Sequence, residues 1–317
     1  MKFPPQPLGT AVPSRTHTLM NLALVAVALG YVAYVVASHM SELSSADFSI
    51  TASAVAGFVL FATASITLST LYHITLVASL TPGSVDHTRL GAAYAVGQIV
   101  RYLPGKVMGL LYQASYLRGQ VGAGTIALAL LIQMLSAYAW ASALSVAILA
   151  SSWLRTLLPL VLLIPAAALL WQAQRADWAQ RVLRVLPYVG RFFGEADHQS
   201  NRSKATLLTL LLLTNWLPFL AGWVWLLHDV QSFSGAMVFA AAYLAAAVLS
   251  TAIVFVPSGI VVREAIFLWV GSHYGMPATQ LLFYGVLARL ALTAADLLNA
   301  ALFIGVQAMW QRRNRHQ

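Results

Sequence analysis

The chain has 317 residues, of which 60% are hydrophobic and 9% are charged, and its formal net charge is +9. A soluble globular domain carries about 25% charged residues, so this composition excludes an ordinary soluble fold and indicates that lipid surrounds most of the chain. There is no cysteine, which excludes disulfides and thiolate metal sites.

Several stretches of about 20 residues contain no charged side chain. That length is what a helix needs to cross the ~30 Å hydrocarbon core of a bilayer. Short segments of alternating polarity, typical of a membrane β-barrel, are not found. The sequence therefore predicts an all-α polytopic membrane protein, built as a single transmembrane domain over 1–317.

Six low-charge segments are long enough to be predicted as full spans. They lie at about 19–38, 50–80, 124–150, 155–172, 205–228 and 278–310. The first of them, from Leu19 to Ala37, could instead belong to a signal peptide. Its apolar run of about 19 residues exceeds the roughly 7–15 of a signal peptide, so we interpret it as a retained span.

Two further apolar segments, 88–118 and 235–274, are interrupted near their middle. The first contains Pro104-Gly105 and the second contains Pro257-Ser258-Gly259. Proline removes a backbone donor and clashes with the preceding turn, and glycine permits a reversal of the chain. Both segments are predicted to form helix-turn-helix hairpins, which are either re-entrant or fully spanning.

The distribution of basic residues predicts the orientation, because cytoplasmic loops carry an excess of Lys and Arg. With the N-terminus inside, the basic linker 173–204 and the C-terminal tail both fall in the cytoplasm, provided that each hairpin returns to its starting side. The linker's cations are Arg175, Arg181, Arg184, Arg191, Arg202 and Lys204. We interpret the linker as an interfacial helix on anionic lipid, or alternatively as a docking site for a partner enzyme. No nucleic-acid partner is expected.

The order span, span, hairpin, span occurs twice. The first copy covers about 19–150 and the second about 155–310, and the two breaks at Pro104 and Pro257 are offset by 153 residues. The first copy starts from the inside and the second from the outside. This order predicts an inverted repeat, a recurrent transporter plan in which interrupted helices mark the substrate site.

Polar side chains accompany the first break. Tyr94, Gln98 and Arg101 follow i, i+4, i+7 spacing and share one helix face, and Lys106 follows the turn. A helix that starts after the break presents free N–H groups, which together with the two cations suit a phosphate. Alternatively, Arg101 and Lys106 extend to water at the membrane surface.

Charged residues also follow the second break. Arg263 and Glu264 are adjacent, so they diverge by about 100° on a helix and each needs another partner. In the last span, Arg289 and Asp296 lie on one stripe. Intramembrane charges are costly and are functional candidates by default. The sequence predicts a network of Arg289, Asp296, Glu264 and Arg263, which either fixes the packing or forms a headgroup site or protonation switch.

His73 lies in a span rich in serine and threonine. It is interpreted either as a proton carrier or as a hydrogen-bonded packing residue. No hydrolase, metalloprotease or phosphate-loop motif occurs, and Glu195, Asp197 and His198 of the linker are not taken as a metal site. Neither a metal nor a cofactor is expected.

The two broken segments resemble the paired signatures of a known family. Arg101-Tyr-Leu-Pro-Gly-Lys-Val107 and Pro257-Ser-Gly-Ile-Val-Val-Arg-Glu-Ala265 are similar to those of the lysylphosphatidylglycerol synthase transmembrane-region family, also called flippase-like domain proteins. The family's second signature reads Pro-Gly-Gly-x-Gly-x-Arg-Glu. Pro257, Gly259, Arg263 and Glu264 match it, whereas Ser258 and Val261 replace two of its glycines.

The resemblance implies an inverted-repeat domain that translocates phospholipids or polyprenyl-phosphate-linked lipids. Bifunctional members of the family add a soluble aminoacyl-transferase domain to this membrane domain. We do not expect such a domain within residues 1–317, so we do not expect lipid aminoacylation by them. We expect the protein to lie in the cytoplasmic membrane of a bacterium or an archaeon, with both termini in the cytoplasm.

We therefore expect a lipid flippase and not an enzyme. Arg101, Lys106, Arg263 and Arg289 would attract a phosphate headgroup, while Glu264 and Asp296 hold these cations in the empty site. Two alternatives stay open: an integral-membrane transferase acting on a polyprenyl lipid, with Glu264 or Asp296 as base, and a non-transporting partner of a glycosyltransferase.

Overall fold

The computed structural model describes residues 50–100, 108–175, 202–252 and 260–314, and in these ranges every regular element is a helix. The α-helices, in chain order, are α1 (Ala52–Leu80), α2 (His87–Val100), α3 (Met108–Tyr116), α4 (Ala123–Leu154), α5 (Leu163–Arg175), α6 (Arg202–Thr214), α7 (Trp216–Leu227), α8 (Phe233–Ala252), α9 (Ile260–His273) and α10 (Ala278–Asn314). A 3-10 helix, Leu158–Leu162, precedes α5.

Five helical segments are long and apolar enough to cross a membrane. They are Ala52–Leu80, Ala123–Leu154, Ser203–Leu227, Phe233–Thr251 and Ala278–Asn314. Large apolar side chains such as Leu60, Val146 and Leu290 are more than 60% exposed, as expected where the surroundings are hydrocarbon and not water. The protein is an all-α integral membrane protein, as the composition predicts.

Four of the predicted spans correspond to α1, α4, the α6–α7 pair and α10. The predicted span 19–38 lies outside the described residues. The fifth observed span is α8, which the sequence analysis treats as one arm of the second hairpin. Because α8 has 20 residues, this arm is long enough to cross the bilayer alone.

The segment predicted as a single span at 155–172 instead forms a short 3-10 helix followed by α5. Arg155 ends α4 in the left-handed conformation, with φ of 50°, and the 3-10 helix follows before α5 begins at Leu163. With 13 residues, α5 is about 20 Å long, which is shorter than the ~30 Å hydrocarbon core. The described part of this segment therefore does not form a full span by itself, and most of the basic linker, 176–201, lies outside the description.

The two predicted hairpins have packed arms. α2 contacts α3, and α8 contacts α9. In the first hairpin the approach is close, since a Cβ atom on Gly109 would lie 2.6 Å from the carbonyl oxygen of Gly97. Glycine is therefore required where the two backbones meet. The turns themselves, with Pro104, Gly105, Pro257, Ser258 and Gly259, lie outside the described ranges, as do Arg101 and Lys106.

Helices of the two halves of the chain pack against each other. α1 lies against α6 and α7, α2 lies against α10, and α8 lies against α4. A buried aromatic cluster joins α1, α7, α8 and α9 around Trp223, whose ring centroid is 5.5 Å from that of Phe58 and 5.3 Å from that of Tyr243. Such edge and tilted contacts are favourable aromatic geometry, and they hold the second hairpin beside α1.

The pair α6–α7 is interrupted at Asn215. Asn215 still donates its backbone N–H to Leu211, but Pro218 has no N–H to offer the carbonyl of Thr214. The helix therefore breaks within the span.

Candidate functional site

An ion pair joins the second hairpin to the last span. Arg289 on α10 donates from Nη1 to Oε1 of Glu264 on α9, at 2.7 Å. Both side chains are largely buried, with 22% and 15% of their surface exposed. A charged hydrogen bond of this length is strong in a weakly polar environment, so it fixes the start of α9 against α10. The sequence analysis predicts both members of this pair.

Arg263 has a different partner. Its Nε lies 3.9 Å from Oε1 of Glu264, which is too long for a hydrogen bond. Its guanidinium instead lies over the ring of Tyr243, 5.0 Å from the centroid, in the geometry of a cation–π contact. This confirms that the adjacent residues Arg263 and Glu264 do not pair well with each other. Tyr243, on α8, is a site residue that the sequence analysis does not identify.

We call Tyr243, Arg263, Glu264 and Arg289 the charged cluster. Two arginines and one glutamate give it a formal charge of +1. Within the described chain, neither Nε of Arg263 nor Oε2 of Glu264 has a hydrogen-bond partner. Both atoms are buried, and buried polar atoms without partners are costly, while the side chains that carry them keep 20% and 15% of their surface exposed. The arrangement is therefore chemically suited to receive a further anionic or hydrogen-bonding group.

Asp296 lies two helical turns beyond Arg289 on α10 and is 2% exposed. The partner that the structure gives Arg289 is Glu264. One turn further, the amide of Asn299 connects α10 to α1: it donates to the hydroxyl of Thr70 at 3.1 Å and accepts from that of Thr67 at 3.0 Å. α10 thus carries both the charged cluster and a polar contact with α1.

Tyr94 and Gln98 lie on α2, one turn apart. Tyr94 is 6% exposed; its hydroxyl accepts from Nε2 of Gln133 at 2.9 Å, and its ring stacks on His73 with 4.1 Å between centroids. Gln98 is half-buried. The predicted substrate-binding role of these two residues stays a prediction, as does that of Arg101 and Lys106.

His73 is completely buried in α1 and belongs to a polar network. Its Nδ1 lies 2.8 Å from Oε1 of Gln133 on α4, and Nε2 of Gln133 also donates to Ser69. Near this network, Gln174 of α5 donates to Tyr72 and Ser136. The sequence analysis identifies His73 but misses the glutamines, although an isolated glutamine in an apolar helix is the signal that would have found them.

A second polar group lies at the start of α2. Asp86 caps the helix by accepting from the backbone N–H groups of Thr88 and Arg89 and from the Thr88 hydroxyl. Partial burial raises the pKa of the Asp86 carboxyl, but these hydrogen bonds and the Arg89 charge outweigh it, so the pKa is lowered overall. Arg89 also donates to the carbonyl of Tyr116, at 2.6 Å, which connects the two ends of the first hairpin.

Across the four described ranges, no group of three His, Asp or Glu side chains is placed to hold a metal ion. The linker residues Glu195, Asp197 and His198 lie outside those ranges. The charged cluster is thus the main concentration of intramembrane charge that the described chain presents.

Comparison with known proteins gives no match: no protein-family model, no curated protein and no solved structure is similar to this chain.

Proposed function

We propose that this protein moves an anionic phospholipid, or a polyprenyl-phosphate-linked lipid, across the membrane. The observation that carries the proposal is the charged cluster, which has a formal charge of +1 and, among the described residues, an Nε donor of Arg263 without a hydrogen-bond partner. A charge is kept in a membrane domain at a cost of a few kcal/mol. A phosphate headgroup would accept from Arg263 and compensate the surplus charge.

The packing of the halves supports the inverted repeat. Shifted by the offset of 153 residues, α2 corresponds to 240–253, which overlaps α8, and α4 corresponds to 276–307, which overlaps α10. The contact of α2 with α10 is then equivalent to the contact of α8 with α4, and both exist. A pseudo-two-fold axis between the halves would produce this pattern, in which one hairpin arm from each half packs on a span of the other half. In such transporters the substrate lies between the repeats.

The proposed path follows from these placements. The headgroup passes between the two hairpins, with Arg101 and Lys106 contributing from the first and the charged cluster from the second, while the tails stay in lipid. Glu264 neutralises Arg289 in the empty site. If the two pseudo-symmetric halves exchange conformations, the site opens alternately to each side of the membrane. The resemblance of both broken segments to the flippase-like domain family supports the same activity.

The test is lipid movement in proteoliposomes that contain the pure protein and a tail-labelled phosphatidylglycerol. Arg263→Gln and Arg289→Gln should each slow movement by about tenfold or more. The first loses the proposed charged hydrogen bond to the headgroup and the second loses the one to Glu264, and each such bond contributes about 1.5–3 kcal/mol. Arg118→Gln is the matched control, since Arg118 is exposed outside the helices, and it should move lipid at the wild-type rate. Undiminished movement in both cluster variants would overturn the proposal.

A second variant tests the role of the glutamate. Glu264→Gln leaves two arginines without a counter-charge, so the purified protein should retain more phosphatidylglycerol and release it more slowly. Mass spectrometry of the retained lipid measures this effect. Asp229→Asn is the control, because Asp229 is 53% exposed and pairs only with His228 among described side chains. Equal lipid retention in Glu264→Gln and wild type would contradict this role, and product formation by the pure protein would favour a transferase.

A further inference from the structure

The network around His73 determines which ring nitrogen carries the proton. Nε2 of Gln133 lies 3.0 Å from the carbonyl oxygen of Ser69, and a carbonyl can only accept. This contact fixes the orientation of the Gln133 amide, so Oε1 is the atom that faces His73. Since Oε1 also can only accept, Nδ1 of His73 must be the donor, and the neutral ring leaves Nε2 without a proton.

The second ring nitrogen, Nε2, carries no proton in this state but has surroundings that could accept one. Nε2 of His73 has no hydrogen-bond partner among the described residues. The Gln113 side chain of α3 lies next to the ring, is 1% exposed, and has its own Oε1 without a partner. An amide serves both states of histidine: its NH2 donates to the neutral Nε2, and after rotation its oxygen accepts from a protonated Nε2.

Packing alone does not explain this set of side chains. Under the offset of 153 residues, the positions equivalent to the network in the second half of the chain are all apolar. They are Leu226 for His73, Ala247 for Tyr94, Ile266 for Gln113 and Val286 for Gln133. Apolar side chains therefore suffice for the equivalent contacts, and a buried polar network is costly unless it is fully satisfied.

The network joins the first hairpin to helices α1 and α4, which the proposed transport would displace relative to that hairpin. Tyr94 and Gln113 lie on the two arms of the first hairpin, α2 and α3, whereas His73 and Gln133 lie on α1 and α4. A displacement of the hairpin would separate Gln113 from the ring and let water reach Nε2. In the closed state, burial opposes a charge on the ring.

We propose that His73 is a proton-binding site whose occupancy follows the movement of the first hairpin and couples lipid movement to a proton gradient. The coupling part rests on the proposed function. A proton from water binds at Nε2, Nδ1 keeps its proton and its bond to Gln133, and the ring gains one positive charge. When the hairpin closes, both N–H groups donate to amide oxygens, of Gln133 and Gln113.

The surroundings of His73 are compatible with one titrating group. Five helices pack against α1, and the titratable side chain in contact with the ring is Tyr94. α7 has no titratable residue. On the other four helices, the remaining titratable groups are His87 and Arg89 of α2, Tyr138 of α4, Arg202 and Lys204 of α6, and Tyr284, Arg289, Asp296, Arg312 and Arg313 of α10. Asp296 lies one turn before Asn299, and Asn299 donates to Thr70, which lies one turn before His73. A charge on the Asp296 carboxyl would therefore influence the His73 ring, and a charge on the ring would influence the carboxyl.

The first measurement is lipid movement in proteoliposomes with a pH difference across the membrane. A difference of one pH unit biases a one-proton cycle by at most about tenfold, so reversal of the gradient should change the wild-type rate severalfold. His73→Gln should move lipid without any response to the gradient. His228→Gln, at an exposed histidine, should respond as the wild type does. A full response in His73→Gln, or no response in the wild type, would overturn the coupling.

The second measurement does not depend on transport. In 15N-histidine-labelled protein in nanodiscs, the signal that disappears in His73→Gln should show a neutral ring with the proton on Nδ1. It should convert to the doubly protonated form as the pH falls below about 6.5, the ordinary pKa of a histidine. If it never converts, the proton site is refuted, even if the protein moves lipid. If it converts in a protein that moves no lipid, the proposed function fails and the proton site stands.

Discussion

At the scale of single residues, a side chain's role depends on which of its polar atoms are paired. Among the described residues, one oxygen of Glu264 accepts from Arg289 and the other has no partner, while Arg263 contacts the ring of Tyr243 and its Nε has no hydrogen-bond partner. His73 likewise uses one nitrogen and leaves the other. In a membrane the cost of such atoms is not relieved by water. These atoms are therefore where the proposed headgroup and the proposed proton would bind.

Asp86 offers a test of helix capping with a defined pH dependence. Asp86→Ala removes the N-cap of α2 and should destabilise the protein by about 1 kcal/mol, measured as a lower melting temperature in detergent at neutral pH. Asp86→Asn keeps a good capping side chain and should melt close to the wild type.

The pH response separates these variants. The carboxyl's pKa is lowered in the folded protein, so its charge contributes stability above the unfolded pKa of about 3.9, and this contribution is lost as the pH falls through the folded pKa. The difference between wild type and Asp86→Asn should therefore change below about pH 4. An identical pH profile for both proteins would contradict the cap.

At the scale of elements, the first hairpin depends on two glycines. Gly109 and Gly97 meet backbone to backbone, and a Cβ atom on Gly109 would clash with the carbonyl of Gly97. Helix propensity alone would favour a substitution of Gly109 by alanine, because alanine stabilises a helix relative to glycine by about 1 kcal/mol. The contact is decisive, since neither backbone can rotate away as a side chain can.

We expect Gly109→Ala to destabilise the protein by about 1–3 kcal/mol, the typical cost of overpacking. Gly305→Ala in α10 is the matched control, because nothing lies within 4 Å of the added Cβ atom, and it should be neutral or slightly stabilising. Thermal melting of both variants gives the comparison. A stabilised Gly109→Ala would show that the arms are not in close contact.

At the scale of the whole molecule, the packing of α8, from the second half, on α4, from the first half, can be tested by cross-linking, because the chain has no cysteine of its own. Ser145 on α4 donates its hydroxyl to the carbonyl of Ala241 on α8, at 2.8 Å. The double variant Ser145→Cys with Ala241→Cys should form a disulfide on mild oxidation, detected as a mobility change on electrophoresis or by intact mass.

The control pair is Val146→Cys with Ala241→Cys. Val146 is adjacent in sequence but 62% exposed toward lipid, so it should not cross-link. If the protein moves lipid as proposed, the bridged form should stop doing so, since the bond holds the second hairpin to α4. Equal cross-linking of both pairs would contradict the packing of α8 on α4.

The sequence by itself determines the membrane fold and much of the candidate site. Runs of about 20 uncharged residues identify α1, α4, the α6–α7 pair and α10, because the thickness of hydrocarbon sets the length of a span. The rarity of intramembrane charge singles out Arg263, Glu264, Arg289 and Asp296, and the angle between adjacent helix residues correctly denies a good pairing of Arg263 with Glu264.

Only the tertiary structure decides which of these groups meet. The pairing of Glu264 with Arg289 and the position of Tyr243 under Arg263 depend on how α8, α9 and α10 pack, and local spacing does not encode the angle between helices. The same holds for the contact of His73 with Gln133, which lie 60 residues apart. In a bilayer every helix is apolar, so the physical pattern that identifies a span does not specify its neighbour.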